Sequence, residues 1–348
     1  MTPRWTEGVH RLVLPNGLVL LAQRDAAAPA VAVVSHVRAG FFDEPDRLSG
    51  VSHVLEHMLF KGTPTRGVGA IARETKEAGG YLNAATSYDY TTYYAVLPAR
   101  SLPVALDLQA DALRRSLIDR DELRRELVVI IEEAKRKLDT PGAVAAETLH
   151  ALLFDRHRIR RWRIGTEAHL AALTREDVSG YYRSRYVPER TIVAMVGDLE
   201  PSSALEAARD LFGSWPAAQG ASDPSPEELP HREVRVRTLR GDVRTAELVL
   251  GWRGVPALHD DAAALDVAGI ILGSGRPSWL YRTLRDPGIV TSVAAWHYSP
   301  TEVGVFSIGA DLDPSRLDQA IGVMAGEVAR LRSYGPSPGD MARIRPLV

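Results

Sequence analysis

His53 and His57 stand four residues apart in the stretch Ser52-His53-Val54-Leu55-Glu56-His57-Met58-Leu59-Phe60, with a glutamate just before the second. On an α-helix this spacing puts both imidazoles on one face, about 5–6 Å apart at their Cβ atoms, so the rings converge on one ion. Imidazole donors suit zinc. Glu56 is close enough to reach a water on the same ion, yet it points too far round the helix to be a ligand, which makes it the candidate general base. The order His-x-x-Glu-His inverts the commoner His-Glu-x-x-His. The competing reading is a pair of satisfied core or surface histidines. Against it, Val51, Val54, Leu55, Met58, Leu59 and Phe60 make the rest of the helix apolar. Polar groups withdrawn beside such a core without partners cost about 2–7 kcal/mol each, and a metal removes that cost.

The chain contains no cysteine, which excludes disulfides, thiolate metal sites and a cysteine nucleophile. A third ligand must then be His, Asp or Glu. The segment 121–138 reads as a long amphipathic helix carrying Glu126, Glu132 and Glu133 around the apolar run 127–131. Glu126 and Glu133 are two turns apart and share a face. Taken alone, this helix reads more readily as a solvated acidic edge than as a ligand-bearing one.

A length of 348 residues implies two domains, and 45% hydrophobic with 25% charged residues is a globular composition. The formal net charge of -2 supplies no field directed at nucleic acid or an anionic membrane. The basic stretch 156–163 is one isolated run that pairs with carboxylates or solvates a loop, so a nucleic-acid partner is not expected. No apolar run is long enough to span a bilayer. The first seven residues lack the apolar core of a secretory signal, so a cytoplasmic location is expected, or a periplasmic one if a signal has been removed.

The elements that must position these groups follow from periodicity. Apolar segments 9–14 and 17–22 flank Pro15-Asn16-Gly17 as a hairpin, and a third strand covers 30–37. Ser49 or Ser52 is expected to cap the histidine helix. A helix over 69–78 precedes strands 81–86 and 91–97, and helices follow at 99–116, 121–138, 144–154, 174–186 and 202–212, with a strand at 191–196. Residues 215–232 read as a linker between a metal-bearing domain, 1–214, and a second domain, 233–348. There strands are expected at 233–239, 244–252, 290–298 and 303–310, and helices at 260–272, 277–285 and 314–333. Strand and helix pairs recur at an offset of about 213, the sign of an internal duplication. The fold class is α+β, with duplicated domains, each a mostly antiparallel sheet packed with helices. The second copy is expected to be truncated, since about 90 residues of the first have no counterpart in it.

The chain resembles the pitrilysin/insulinase (inverzincin) zinc peptidases, particularly their short bacterial members and mitochondrial processing peptidase. The likeness is carried by Leu14-Pro15-Asn16-Gly17-Leu18, the stretch from Gly50 to Thr63, Gly79-Gly80-Tyr81-Leu82-Asn83-Ala84-Ala85-Thr86, Tyr93-Tyr94, residues 160–166 and Val196-Gly197-Asp198. It implies a zinc endopeptidase acting on extended peptides or small unfolded proteins. Glu133 stands 76 residues after His57, the family's spacing to its third ligand. The resemblance therefore implies Zn2+ held by His53, His57 and Glu133, with Glu56 as base and Glu126 as the supporting carboxylate. It also implies that Asn83 and Ala84 lie on an edge strand that pairs with the substrate backbone. Many members carry an Arg and a Tyr that bind the substrate. Arg285 corresponds to the first, but Thr291 or Ser292 stands where the tyrosine is expected. This departure points to a homodimer or heterodimer in which a homologous subunit supplies the Arg/Tyr pair. The alternative is a non-catalytic or truncated peptide-binding subunit.

Overall fold

Pro15-Asn16-Gly17 reverses the chain between strands β1 (Val9–Val13) and β2 (Val19–Arg24), which pair antiparallel in a computed structural model describing residues 7–231 and 233–345. Gly17 takes φ +92°, the left-handed value that glycine tolerates without strain. The Asn16 amide donates to the carbonyls of Phe212 and Trp215, fixing the hairpin to the end of a distant helix. Strand β3 (Ala30–Val37) alternates buried and half-buried residues, the pattern of a sheet packed on one face. With β4 (Tyr81–Thr86), β5 (Thr91–Pro98) and β6 (Thr191–Gly197) it completes a six-stranded sheet in the order β1-β2-β6-β3-β5-β4. Every pairing is antiparallel except β2 with β6. Strand β4 forms one edge.

The helices of the N-terminal half are α1 (Val51–Met58), α2 (Ala70–Glu77), α3 (Leu102–Arg115), α4 (Arg120–Leu138), α5 (Pro141–Leu153), α6 (Glu167–Ala172), α7 (Arg175–Arg185) and α8 (Pro201–Phe212). The core joins alternate sheet residues such as Val31, Val33, Tyr93, Ala95, Val193 and Met195 to Val54, Leu55, Met58, Leu106, Leu113 and Ala208. Helix α5 starts at Pro141, three residues ahead of the helix expected over 144–154. Proline is tolerated there because an N–H in the first turn has no helical partner to lose.

Neither Ser49 nor Ser52 caps α1. The N-cap is Gly50, at φ +94°, where a Cβ would come within 2.6 Å of the Ile164 carbonyl. The carboxylate of Glu44, 1% exposed, accepts instead from the N–H groups of Gly50 and Ser52, both at 2.9 Å. The Ser52 hydroxyl is occupied elsewhere, with the Gly40 carbonyl and the Tyr181 phenol.

The chain divides into two compact units, Met1–Ala134 with Trp162–Pro224, and Lys135–Arg161 with Ser225–Val348. This division differs from the sequence boundary by grouping the last turn of α4, α5 and the turn after it with the C-terminal unit. Residues 215–230 have no regular structure but are held along their length: Gly220 donates to Glu189, and Ala221 donates to the Ser184 carbonyl. Glu228 accepts from the consecutive N–H groups of Asp155, Arg156 and His157.

In the C-terminal unit, β7 (Ala246–Gly254), β8 (Ser292–Tyr298) and β9 (Gly304–Leu312) form an antiparallel sheet in the order β7-β9-β8. This repeats the β3-β5-β4 arrangement of the first unit, as a duplication requires. Helices α9 (Ala262–Gly273), α10 (Leu317–Tyr334) and α11 (Pro338–Ile344) contribute to its core. The strand expected at 233–239 does not form. Val234 and Val236 are 91% and 81% exposed, and no strand pairs with them among the described residues. The helix expected over 277–285 includes a π-helical turn, Tyr281–Arg285. Among the described residues, no helix is long and apolar enough to cross a membrane.

Replacing Glu44 by Ala leaves two buried N–H groups at the start of α1 without their acceptor. We expect a loss of about 1–3 kcal/mol, read as a lower urea midpoint with an unchanged slope.

Candidate metal centre

Helix α1 owes its position to its apolar residues. Val51, Val54, Leu55 and Met58 are fully buried, and Phe60 packs edge-on against Tyr93 of β5 at 5.6 Å. The polar side of the helix then carries His53, Glu56 and His57. The two imidazoles lie 4.7 Å apart between ring centroids, at 74° to each other. Glu133 of α4 meets them: its Oε2 is 3.8 Å from His53 Nε2 and 3.9 Å from His57 Nε2. One donor atom from each residue lies within 4.8 Å of the other two. Ligands of a tetrahedral zinc with bonds of about 2.1 Å are about 3.4 Å apart, so the three donors fit such an ion after a small closing movement. Glu133, the most exposed of the three at 38%, leaves the centre accessible on its side.

Glu126 stands behind this cluster. Its Oε2 is 3.1 Å from His57 Nδ1, and its Oε1 accepts from the Lys61 ammonium. A carboxylate at Nδ1 calls for the proton on that nitrogen and leaves the Nε2 lone pair facing Glu133. Burial opposes the charge on Glu126, but the hydrogen bonds from Lys61 and His57 outweigh it and hold the carboxyl below its usual range.

Glu56 has a different setting. Burial pushes its carboxyl above the usual value; the hydrogen bond from the Thr86 hydroxyl and the neighbouring His57 counter this, while Glu133 adds to it. Thr86 ends β4, so Glu56 is tied to the edge strand.

Of the three carboxylates on α4, Glu133 joins the histidines and Glu126 supports one of them. Glu132 is outside the cluster, on another face of the helix. Asn83 and Ala84 lie on β4, where the Asn83 side chain accepts from the N–H of Ala84 at 2.9 Å. Arg285 is exposed on the π-helical turn of the other unit. Sequence reasoning missed Lys61 and Thr86. Lys61, one turn beyond His57, carried a usable signal; Thr86 did not, because its partner is 30 residues away.

Residues 19–167 match the family described as Insulinase (Peptidase family M16), and residues 172–346 match the Peptidase M16 inactive domain. The uncharacterized zinc protease YmxG of Bacillus subtilis (strain 168) is 29% identical over 328 residues, which cover 94% of this chain and 79% of that protein. The probable mitochondrial-processing peptidase subunit beta of Arabidopsis thaliana is 29% identical over 348 residues, covering 95% of this chain and 64% of its own length. The chain thus spans slightly less than two thirds of that relative. The solved structure of a protease from Helicobacter pylori shares the fold, with a TM-score of 0.90 at 24% identity, covering 97% of this chain and 83% of the other.

Loss of the outer partner of a ligating histidine weakens metal binding by about 10–100-fold. Glu126→Gln is expected to lower zinc affinity in that range while the fold survives, as measured by competition with a chromogenic chelator alongside circular dichroism.

Proposed function

Because the chain belongs to the insulinase family of peptidases, M16, we propose that it is a zinc-dependent endopeptidase that hydrolyses extended peptides or small unfolded proteins. The observation that carries this reading is the convergence of His53, His57 and Glu133, with Glu56 beside them on the same helix. These three side chains would hold the ion. When bound, zinc would supply Lewis acidity, which lowers the pKa of a water toward about 7 and polarises a carbonyl.

The remaining work falls to the chain's own groups. Glu56 takes a proton from the attacking water and passes it to the departing amine. Thr86 occupies Glu56 Oε2, which leaves Oε1 for that proton. Glu126 fixes the His57 ring, and Lys61 fixes Glu126. Strand β4 offers its open edge to an extended backbone at Asn83 and Ala84, which favours unfolded segments over folded surfaces.

In this reading Arg285 contacts substrate, and a homologous subunit supplies the Arg/Tyr pair that Thr291 and Ser292 do not complete. The subunit named in the Arabidopsis relative supports such an assembly. A second reading, a non-catalytic peptide-binding subunit, is favoured by the inactive-domain match. That match covers residues 172–346, whereas His53, Glu56, His57, Glu126 and Glu133 all fall within 19–167.

Glu56→Gln is expected to retain one zinc per chain while losing about 10²–10⁴-fold in turnover of an unstructured peptide, assayed with a homologous subunit present. Turnover at the original rate would exclude Glu56 as the base. Failure of the zinc-loaded, unsubstituted chain to cleave, alone or with that subunit, would favour the non-catalytic reading.

A further inference from the structure

The geometry points to an aromatic subsite on the edge strand: Tyr81, braced by Tyr94, receives an aromatic side chain of a bound peptide about five residues from the bond that is cut. This rests on the peptidase reading and assigns that site a substrate preference.

The side chains of β4 alternate. Leu82, Ala84 and Thr86 turn toward the helices, where Leu82 and Ala84 pack on the core and Thr86 reaches Glu56. Tyr81, Asn83 and Ala85 therefore occupy the opposite face, and all three are exposed. Tyr81 is 58% exposed and is the only large apolar side chain of these three. Its ring is not loose, because Tyr94 of β5 meets it edge-on, with centroids 6.5 Å apart and planes at 90°. The two belong to diagonal positions of the β4–β5 ladder, since Tyr81 opposes Val96 and Asn83 opposes Tyr94.

The backbone directions agree with this placement. The Ala84 N–H is taken by the Asn83 side chain rather than by β5, so Ala84 directs its backbone groups to the open edge. Leu82 and Thr86, two residues to either side, do the same by the ladder's alternation. A peptide strand paired there would lie about 4.8 Å beyond β4 and bring alternate side chains beside Tyr81, Asn83 and Ala85. Asn83 is polar and Ala85 offers one methyl group, so apolar recognition concentrates at Tyr81. Thr86 marks the position of Glu56, and five residues of strand separate it from Tyr81, about 17 Å at 3.3–3.4 Å per residue. The occupant is fixed by this continuity: a chain that reaches Glu56 along β4 must pass Tyr81.

The test uses unstructured peptides of one sequence in which a single Phe or Ala is moved along the positions on both sides of the cleaved bond. Binding is measured by fluorescence anisotropy to the zinc-loaded Glu56→Gln protein, so turnover is not required. At a position four to six residues from the bond, Phe is expected to bind about twofold to tenfold tighter than Ala, the range of a single aromatic pair. Adding Tyr81→Ala should bring that ratio to about one, and adding Tyr81→Phe should preserve it; a merely structural role would weaken both peptides alike and leave the ratio unchanged. A ratio of one throughout, a ratio unchanged by Tyr81→Ala, or no binding of either peptide would overturn the subsite. Cleavage by the unsubstituted protein reports separately on the peptidase reading. Cleavage with a flat ratio removes only the subsite, and a Tyr81-dependent ratio without cleavage removes only the peptidase.

Discussion

A carboxylate taken out of water is costly unless its oxygens find donors, and three glutamates in and around α1 and α4 are placed under that constraint. Glu44 meets it with two backbone N–H groups, Glu126 with an imidazole and an ammonium, and Glu56 with a hydroxyl. Each solution fixes something besides the carboxylate. Glu44 sets where α1 begins, Glu126 sets the ring of His57, and Thr86 ties Glu56 to the edge strand. Glu133, the fourth, keeps its oxygen turned toward two imidazole nitrogens, an arrangement a cation completes.

The two units show what this constraint adds to a shared scaffold. Both contain three antiparallel strands in the same spatial order, with a helix following the first of them. In the N-terminal unit that helix, α1, carries two imidazoles and a carboxylate. In the C-terminal unit its counterpart by order, α9, reads Ala-Ala-Ala-Leu-Asp-Val-Ala-Gly-Ile-Ile-Leu-Gly and has no histidine. The sheet tolerates either helix. Only the first requires the surrounding donors.

Much of the N-terminal unit was legible because its signals are local. The alternation in 30–37, the Pro-Asn-Gly turn and the four-residue spacing of the histidines each act over fewer than ten residues, and the structure follows them closely. Resemblance supplied the choice among Glu126, Glu132 and Glu133, since helical geometry left it open. The cap of α1 was misread because Glu44 reaches back across a loop, and a serine beside a helix start looks locally sufficient. The strand expected at 233–239 failed for a related reason: β-branched residues favour a strand only where a neighbour exists to pair with them. The segment 215–230 read as a linker because its anchors, Glu189, Ser184 and the turn at 155–157, are distant in sequence.

Asn83 occupies one of the open hydrogen-bonding positions on the edge of β4 with its own side chain. An uncovered edge invites any passing strand, including one from a second copy of the same chain, and so is a route to aggregation. By covering that N–H, the side chain leaves one fewer open donor for a second strand to pair with, which makes the edge a poorer seed for self-association.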